Sequence, residues 1–319
     1  IDAAADGDTI QVAPGTYNEA VIINKPNLTI RSTAGAATTI IDVPFGTLTT
    51  GVKVLANMGV VTFDGFTVKN FTEGGIIQGM AARPGTTFHV LNNIVLPYEP
   101  LSGVPYLRNG IQVSGDGSTV KGNYVNGAYL TNDWSSTAIL VVNASNVEVS
   151  GNTISGEEFG LDYGIGVANW DTGAMTNILI KNNIVDHADY SLDVTAYSGT
   201  ISGVVIEYNK VTNYIEPLWA GISGGVSVSQ VDASPNWWGD PLGPQGAVTG
   251  DVSYKPWCAN AACTEFLPAM ATIAPVAPIV CGVTPTTTID VNISGIPTGM
   301  IAQGYQLTLH FDPAKTSIA

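Results

Sequence analysis

The sequence predicts an all-β chain wound as a parallel β-solenoid of about eight coils, followed by part of a β-sandwich. Three observations predict it. Only 12% of the 319 residues are charged, and the 36 glycines sit among short runs of aliphatic residues, with no amphipathic 3.6-residue period. The segments "VLNNIV" (90–95), "VKGNYV" (120–125), "VSGNTI" (149–154), "IKNNIV" (180–185) and "IEYNKV" (206–211) share one pattern, aliphatic-x-x-Asn-x-aliphatic, whose asparagines are 30, 29, 31 and 26 residues apart. Between them runs a second set, "GIIQGM", "GIQVSG", "AILVVN", "GIGVAN" and "SLDVTA", so each period holds at least two short strands.

Stacking such periods as rungs about 4.8 Å apart puts equivalent side chains in columns. Val90, Val120, Val149, Ile180 and Ile206 form one inward column, and Val95, Val125, Ile154, Val185 and Val211 another. The asparagines Asn93, Asn123, Asn152, Asn183 and Asn209 fall at the turn between the two, where side-chain amides serve turn backbone that has no strand partner. Their expected role is structural.

Upstream the pattern continues less regularly through "TIQVAPGTY", "AVIINKPNLTIRS" and "GVVTFDGFTVKN", so the solenoid is expected over 1–235. Residues 236–266, opening with "NWWGDPLGP", are expected to cap and close it, with Trp237 or Trp238 covering the last rung. Residues 267–280, "LPAMATIAPVAPIV", read as a Pro/Ala-rich linker. In 281–319 the alternation of "TIDVNISG" and "YQLTLHF" reads as two strands of a sandwich that needs more chain than is present.

These segments carry a family resemblance. "ADGDTIQVAPGTYNEAVIINKPNLTIRS" resembles the first coils of right-handed parallel β-helix proteins of the pectate-lyase-like superfamily, with its PbH1-type repeats. "NWWGDPLGP" with "VSYKPWC" resembles the closing segment of secreted members, and "FDPAK" the corresponding turn of cohesin-like sandwiches. The resemblance implies the fold; the same fold serves lyases, hydrolases, esterases, epimerases, adhesins and surface structural proteins, so it selects no activity.

Charge and motifs narrow the function. Eleven basic against 26 acidic residues give a net charge of −15, which excludes binding to nucleic acid through a basic surface. No apolar run is long enough for a membrane-spanning helix. No Cys/His set has zinc spacing, and the glycines follow the coil period, not a phosphate loop. Of three cysteines, Cys258 and Cys263 enclose a short turn suited to a disulfide in an oxidising compartment. The chain begins at Ile1 without a signal sequence, so a secreted or cell-surface location is an inference. The sequons at Asn27, Asn70, Asn143 and Asn292 are candidate N-glycosylation sites if the source glycosylates exported proteins.

Acidic residues gather between 133 and 193. Aligning "DYGIGV" (162–167) with "DYSLDV" (189–194) puts Asp162 over Asp189 and Tyr163 over Tyr190. Two carboxylates so close repel unless a cation lies between them, one is protonated or they splay apart, so Asp162 and Asp189 are candidate Ca²⁺ ligands and the alternative is solvated or turn-capping acids. The resemblance implies that a lyase would also need a base, for which His187 and Arg108 are the weak candidates beside Asp162 and Asp189. Trp134, Trp170 and Tyr197 lie in loops of successive coils as candidate sugar-stacking residues, or as packing over the solenoid surface. The favoured expectation is an extracellular structural or adhesive module, self-associating head-to-tail through its ends and C-terminal strands; the alternatives are a Ca²⁺-dependent polysaccharide lyase or epimerase-like enzyme, and a non-catalytic glycan binder.

Overall fold

The computed structural model describes residues 1–44, 50–83, 85–97, 109–126, 136–156, 161–222, 228–245, 248–267, 270–275 and 289–294. Its regular structure is strand throughout, apart from one 3₁₀ turn at Met80–Ala82. The strands form three parallel sheets. Sheet A has ten strands, from Thr9–Val12 to Val252–Ser253; sheet B has eight, from Gly15–Tyr17 to Lys210–Thr212; sheet C has nine, from Val21–Ile23 to Val248–Thr249. The chain visits A, B and C in turn, so the described residues make eight complete rungs and seven rung-to-rung steps in sheet B.

The register explains the repeat. In sheet A, Ile10, Ile30, Phe63, Val90, Val120, Val149, Ile180 and Ile206 are successive partners. In sheet B, Tyr17, Ile41, Val68, Val95, Val125, Ile154, Val185 and Val211 align in the same way. In sheet C, Ile76, Ile111, Ile139, Ile165, Leu192 and Leu218 complete the interior. From Ile30, Ile41 and Ile76 onward these columns are buried in one continuous core, worth roughly 1.5–3 kcal/mol per fully buried aliphatic side chain.

The asparagine column stitches the turn from sheet A to sheet B. Asn93, Asn123, Asn152, Asn183 and Asn209 are all at most 1% exposed. Each Nδ2 donates to the next asparagine's Oδ1 at 2.9–3.1 Å, and each backbone N–H donates to that same Oδ1 at 2.8–2.9 Å. Each Nδ2 also reaches a carbonyl in the preceding rung, as Asn152 does to Val120 at 2.9 Å. No other side chain of this size presents two donors and an acceptor in that geometry. The residue before each asparagine is Asn92, Gly122, Gly151, Asn182 or Tyr208, all at positive φ, which accounts for the Asn/Gly preference there.

The ladder does not stop at residue 209. Asn236 accepts from Asn209 and donates to Ile206 O at 2.7 Å, so "ASPNWW" is one more copy of the repeat, with Ala233 and Trp238 in the aliphatic places. Lys210 aligns with Trp237, which sets Trp238 beyond Val211 in the sheet B column. Trp238 is fully buried in the core and Trp237 is half-buried. Sheets A and C continue to 252–253 and 248–249, past the expected boundary at 235. The Tyr214 hydroxyl donates to Trp238 O at 2.5 Å, Trp257 Nε1 donates to Pro241 O at 3.1 Å, and Cys258 and Cys263 are bonded. Beyond, Met270–Pro275, inside the stretch read as linker, pairs antiparallel with Ile289–Ser294.

Candidate functional site

Sheet C carries the chemistry-bearing face. Its inward residues are Ile139, Val141, Ile165, Val167, Leu192, Val194 and Leu218, so their neighbours alternate to the outside. One outer column runs Lys53, Ile77, Gln112, Leu140, Gly166, Asp193, Trp219. At the strand starts the alternation breaks, because Ala138 lies in the core and a Cβ at Gly164 would meet Val185, and a second column runs Thr137, Tyr163, Tyr190, Glu216. Leu140, Val142 and Ala168 make a small apolar cluster apart from the main core.

The parallel rungs hold aromatic rings at stacking distance. The Tyr163 and Tyr190 rings are 5.3 Å apart and nearly parallel. Trp170 and Tyr197 follow directly after the same two strands, with centroids 6.1 Å apart at 50°, and they are 40% and 50% exposed. Their backbones are pinned: Trp170 N donates to Asn143 Oδ1 at 2.7 Å, and Tyr197 N to Asn169 O at 2.8 Å. Trp219, one rung further, is also exposed.

Asp193 lies among these rings. Its Oδ1 accepts from Thr195 at 2.9 Å, yet burial pushes its carboxyl up to about 7. Burial, then the Asp193 charge, pushes the Tyr163 hydroxyl up to about 12 and raises Tyr197. Burial and then Glu216 raise Tyr190, to which Asp189 and Asp193 also contribute. The Glu216 Oε2 atom is shielded from solvent and has no hydrogen-bond partner among the described residues. Neither Asp193 as a special position nor Glu216 emerged from sequence; the available signal was that Asp193 replaces the Gly166 of the preceding repeat.

The other candidates are placed as follows. Asp162 is 4% exposed, and its Oδ2 accepts from Ser136 N at 3.0 Å and Ser136 Oγ at 2.9 Å, a turn cap. Asp189 stands on the adjacent rung, raised by burial and then by the Asp162 charge. Among the described residues no set of three His, Cys, Asp or Glu side chains is placed to hold one metal ion. His187 Nδ1 lies 2.9 Å from Asp186 Oδ2, just past the strand Ile184–Asp186 of sheet B. Burial alone would raise Asp186, but hydrogen bonds from Thr212, Asn213 and His187 hold it below the usual carboxylate range. Arg108 and Trp134 lie outside the described residues.

Of the sequons, Asn27 is exposed but donates to Asp6 Oδ1 at 2.7 Å, and Asn70 donates to Asp42 Oδ1 at 2.6 Å. Asn143 is buried, with its Oδ1 taken by Trp170 N and Asp171 N, so a glycan there conflicts with the fold. Asn292 lies in the Ile289–Ser294 strand. No helix among the described residues is long and apolar enough to cross a membrane.

No family model matches the chain, and no curated protein matches it. Solved structures similar to it include the Dettilon tailspike protein gp208, at TM-score 0.42 and 16% identity over 77% of this chain and 59% of that one. Another is a pectin methylesterase in complex with hexasaccharide VII, at TM-score 0.37 and 13% identity over 74% and 73%. A third is the A-module of the Azotobacter vinelandii mannuronan C-5 epimerase AlgE6, at 0.34 and 12% over 78% and 80%. The chain thus spans about three fifths of the tailspike's length. At such identities and superposition scores no ligand, substrate or assembly is carried over from them.

Proposed function

We propose that this chain is a glycan-binding adhesive module of an exported protein, holding an extended carbohydrate across the outer face of sheet C. The observation that carries the reading is the run of rings on successive rungs: Tyr163 over Tyr190, Trp170 beside Tyr197, and then Trp219. Sugar rings present apolar C–H faces that stack on aromatics, and a rigid sheet presents those aromatics without an ordering cost on binding. The disulfide at Cys258–Cys263 supports export.

A glycan panel read by isothermal titration calorimetry tests it. Binding to at least one oligosaccharide is expected, weakened about tenfold or more by Trp170→Ala with Tyr197→Ala, about 1.4 kcal/mol, while circular dichroism stays unchanged. Unaltered affinity in the folded double variant would sink the proposal.

A second reading is end-to-end association of copies, because parallel rungs can continue from one copy to the next.

A further inference from the structure

The most open part of the aromatic run has a polar pair beside it. We infer that Arg83 and Asp171, next to Trp170 and Tyr197, form a subsite for one neutral sugar unit, read through two of its neighbouring hydroxyls. This rests on the rings being a glycan site.

Three observations converge. First, the place is accessible. The side chains of Arg83 and Asp171 are 41% and 54% exposed, as open as Trp170 and Tyr197. Second, it is assembled across rungs and held in place. Arg83 closes the turn that follows strand Gly74–Gln78, yet it pairs with Asp171, past strand Tyr163–Asn169 and three rungs on, or about 14 Å along the stack. Between them Met80 Sδ accepts from Asn143 Nδ2 at 3.4 Å. Asp171 N is shared between Asn143 Oδ1 at 3.3 Å and Asn169 Oδ1 at 3.1 Å, and Asn169 Nδ2 donates to Gly173 O at 2.8 Å. An exposed ion pair adds little to stability; what this one secures is two polar groups fixed beside the rings, with little left to order on binding. Third, the pair has the chemistry of a diol reader. Arg83 Nη1 and Asp171 Oδ2 are spent on each other, which leaves the other guanidinium N–H groups and Asp171 Oδ1 without hydrogen bonds among the described residues. A hydroxyl both donates and accepts, so one sugar hydroxyl accepts from Arg83 while its neighbour donates to Asp171, and the ion pair survives. A charged sugar competes for one partner and strands the other. The Trp170 and Tyr197 rings, 6.1 Å apart and tilted by 50°, make a wedge for one sugar face and not a flat shelf.

The full chain is titrated by NMR with the methyl glycosides of glucose, mannose, galactose, glucosamine and galacturonic acid. One neutral glycoside is expected to bind about tenfold more tightly than a neutral epimer and than both charged glycosides. Arg83→Ala and Asp171→Asn should each bring the epimer ratio close to one. If the pair only positioned Trp170, they would weaken all neutral glycosides alike and leave that ratio unchanged, as Trp170→Ala should. Should D171N fail to fold, R83A is read alone, since loss of an exposed ion pair spares the fold. No epimer preference in the parent, an unchanged one in the folded variants, or equal or tighter binding of a charged glycoside overturns the hydroxyl assignment and leaves the platform standing. Binding of no methyl glycoside, while longer glycans still bind through Trp170 and Tyr197, overturns the one-unit subsite alone. A silent wider panel overturns both.

Discussion

Asp193 shows how one position on a regular sheet acquires chemistry. The equivalent place in the preceding rung is Gly166, and in the following one Trp219. A carboxyl set between them is desolvated, so its proton is held up to about 7. An acid whose pKa is raised by folding binds more protons folded than unfolded between its ordinary value and the raised one, so stability falls as pH rises from about 4 to about 7. Below that window the residue is neutral in both states, and above it the full penalty stands. Asp193→Asn, neutral throughout, should therefore match the parent's melting temperature near pH 4 and exceed it increasingly up to pH 7–8. A constant difference across that range in a thermal melt series would show that Asp193 is not desolvated. The same substitution should speed no local exchange in sheet A, whose strands do not include it.

The closing element works by imitation of the repeat. Trp238 takes the place after Val211 in an aliphatic column, and Asn236 ends the amide ladder, so the last rung is covered by chain that still obeys the repeat. Replacing Trp238 by Ala removes the largest fully buried side chain of the molecule's described part and should cost about 3–5 kcal/mol. Because each rung contacts chiefly its neighbours, the loss should be local. Hydrogen exchange is expected to accelerate at 210–212 and 228–232 and to stay unchanged at 119–121 and 147–150. Uniform acceleration along the chain would contradict a rung-by-rung molecule. Trp237→Ala, at a half-buried position, should do less.

At the scale of the whole molecule, the chain carries a net charge of −15. Lateral and end-on approach of two copies is opposed by that charge and eased by salt. If copies associate end to end, the sedimentation coefficient should rise with concentration, more steeply at 0.5 M salt than at 0.05 M. A concentration-independent monomer at both salts would remove end-to-end association and leave the sheet C platform untouched.

The repeat was legible because a solenoid imposes the same environment once per turn: the aliphatic columns, the buried amides and the positive-φ residue before each amide recur at a fixed offset. Trp237 and Trp238 could be read as a cap from their place after the last clear rung, although Asn236 was hidden because Trp238 stands where the pattern calls for an aliphatic residue. The site was less legible. Tyr163 over Tyr190 and Asp162 over Asp189 follow from aligning two hexapeptides, but burial divides the roles: Ser136 claims Asp162 as a turn cap, and His187 pairs with Asp186 in sheet B. Desolvation of Asp193 and the orphaned oxygen of Glu216 depend on what surrounds an outward side chain, and outward neighbours come from different rungs and loops. Periodicity determined which residues face in; only the packed molecule decided which outward carboxyls are removed from water, because desolvation is set by neighbours in space and not by spacing along the chain.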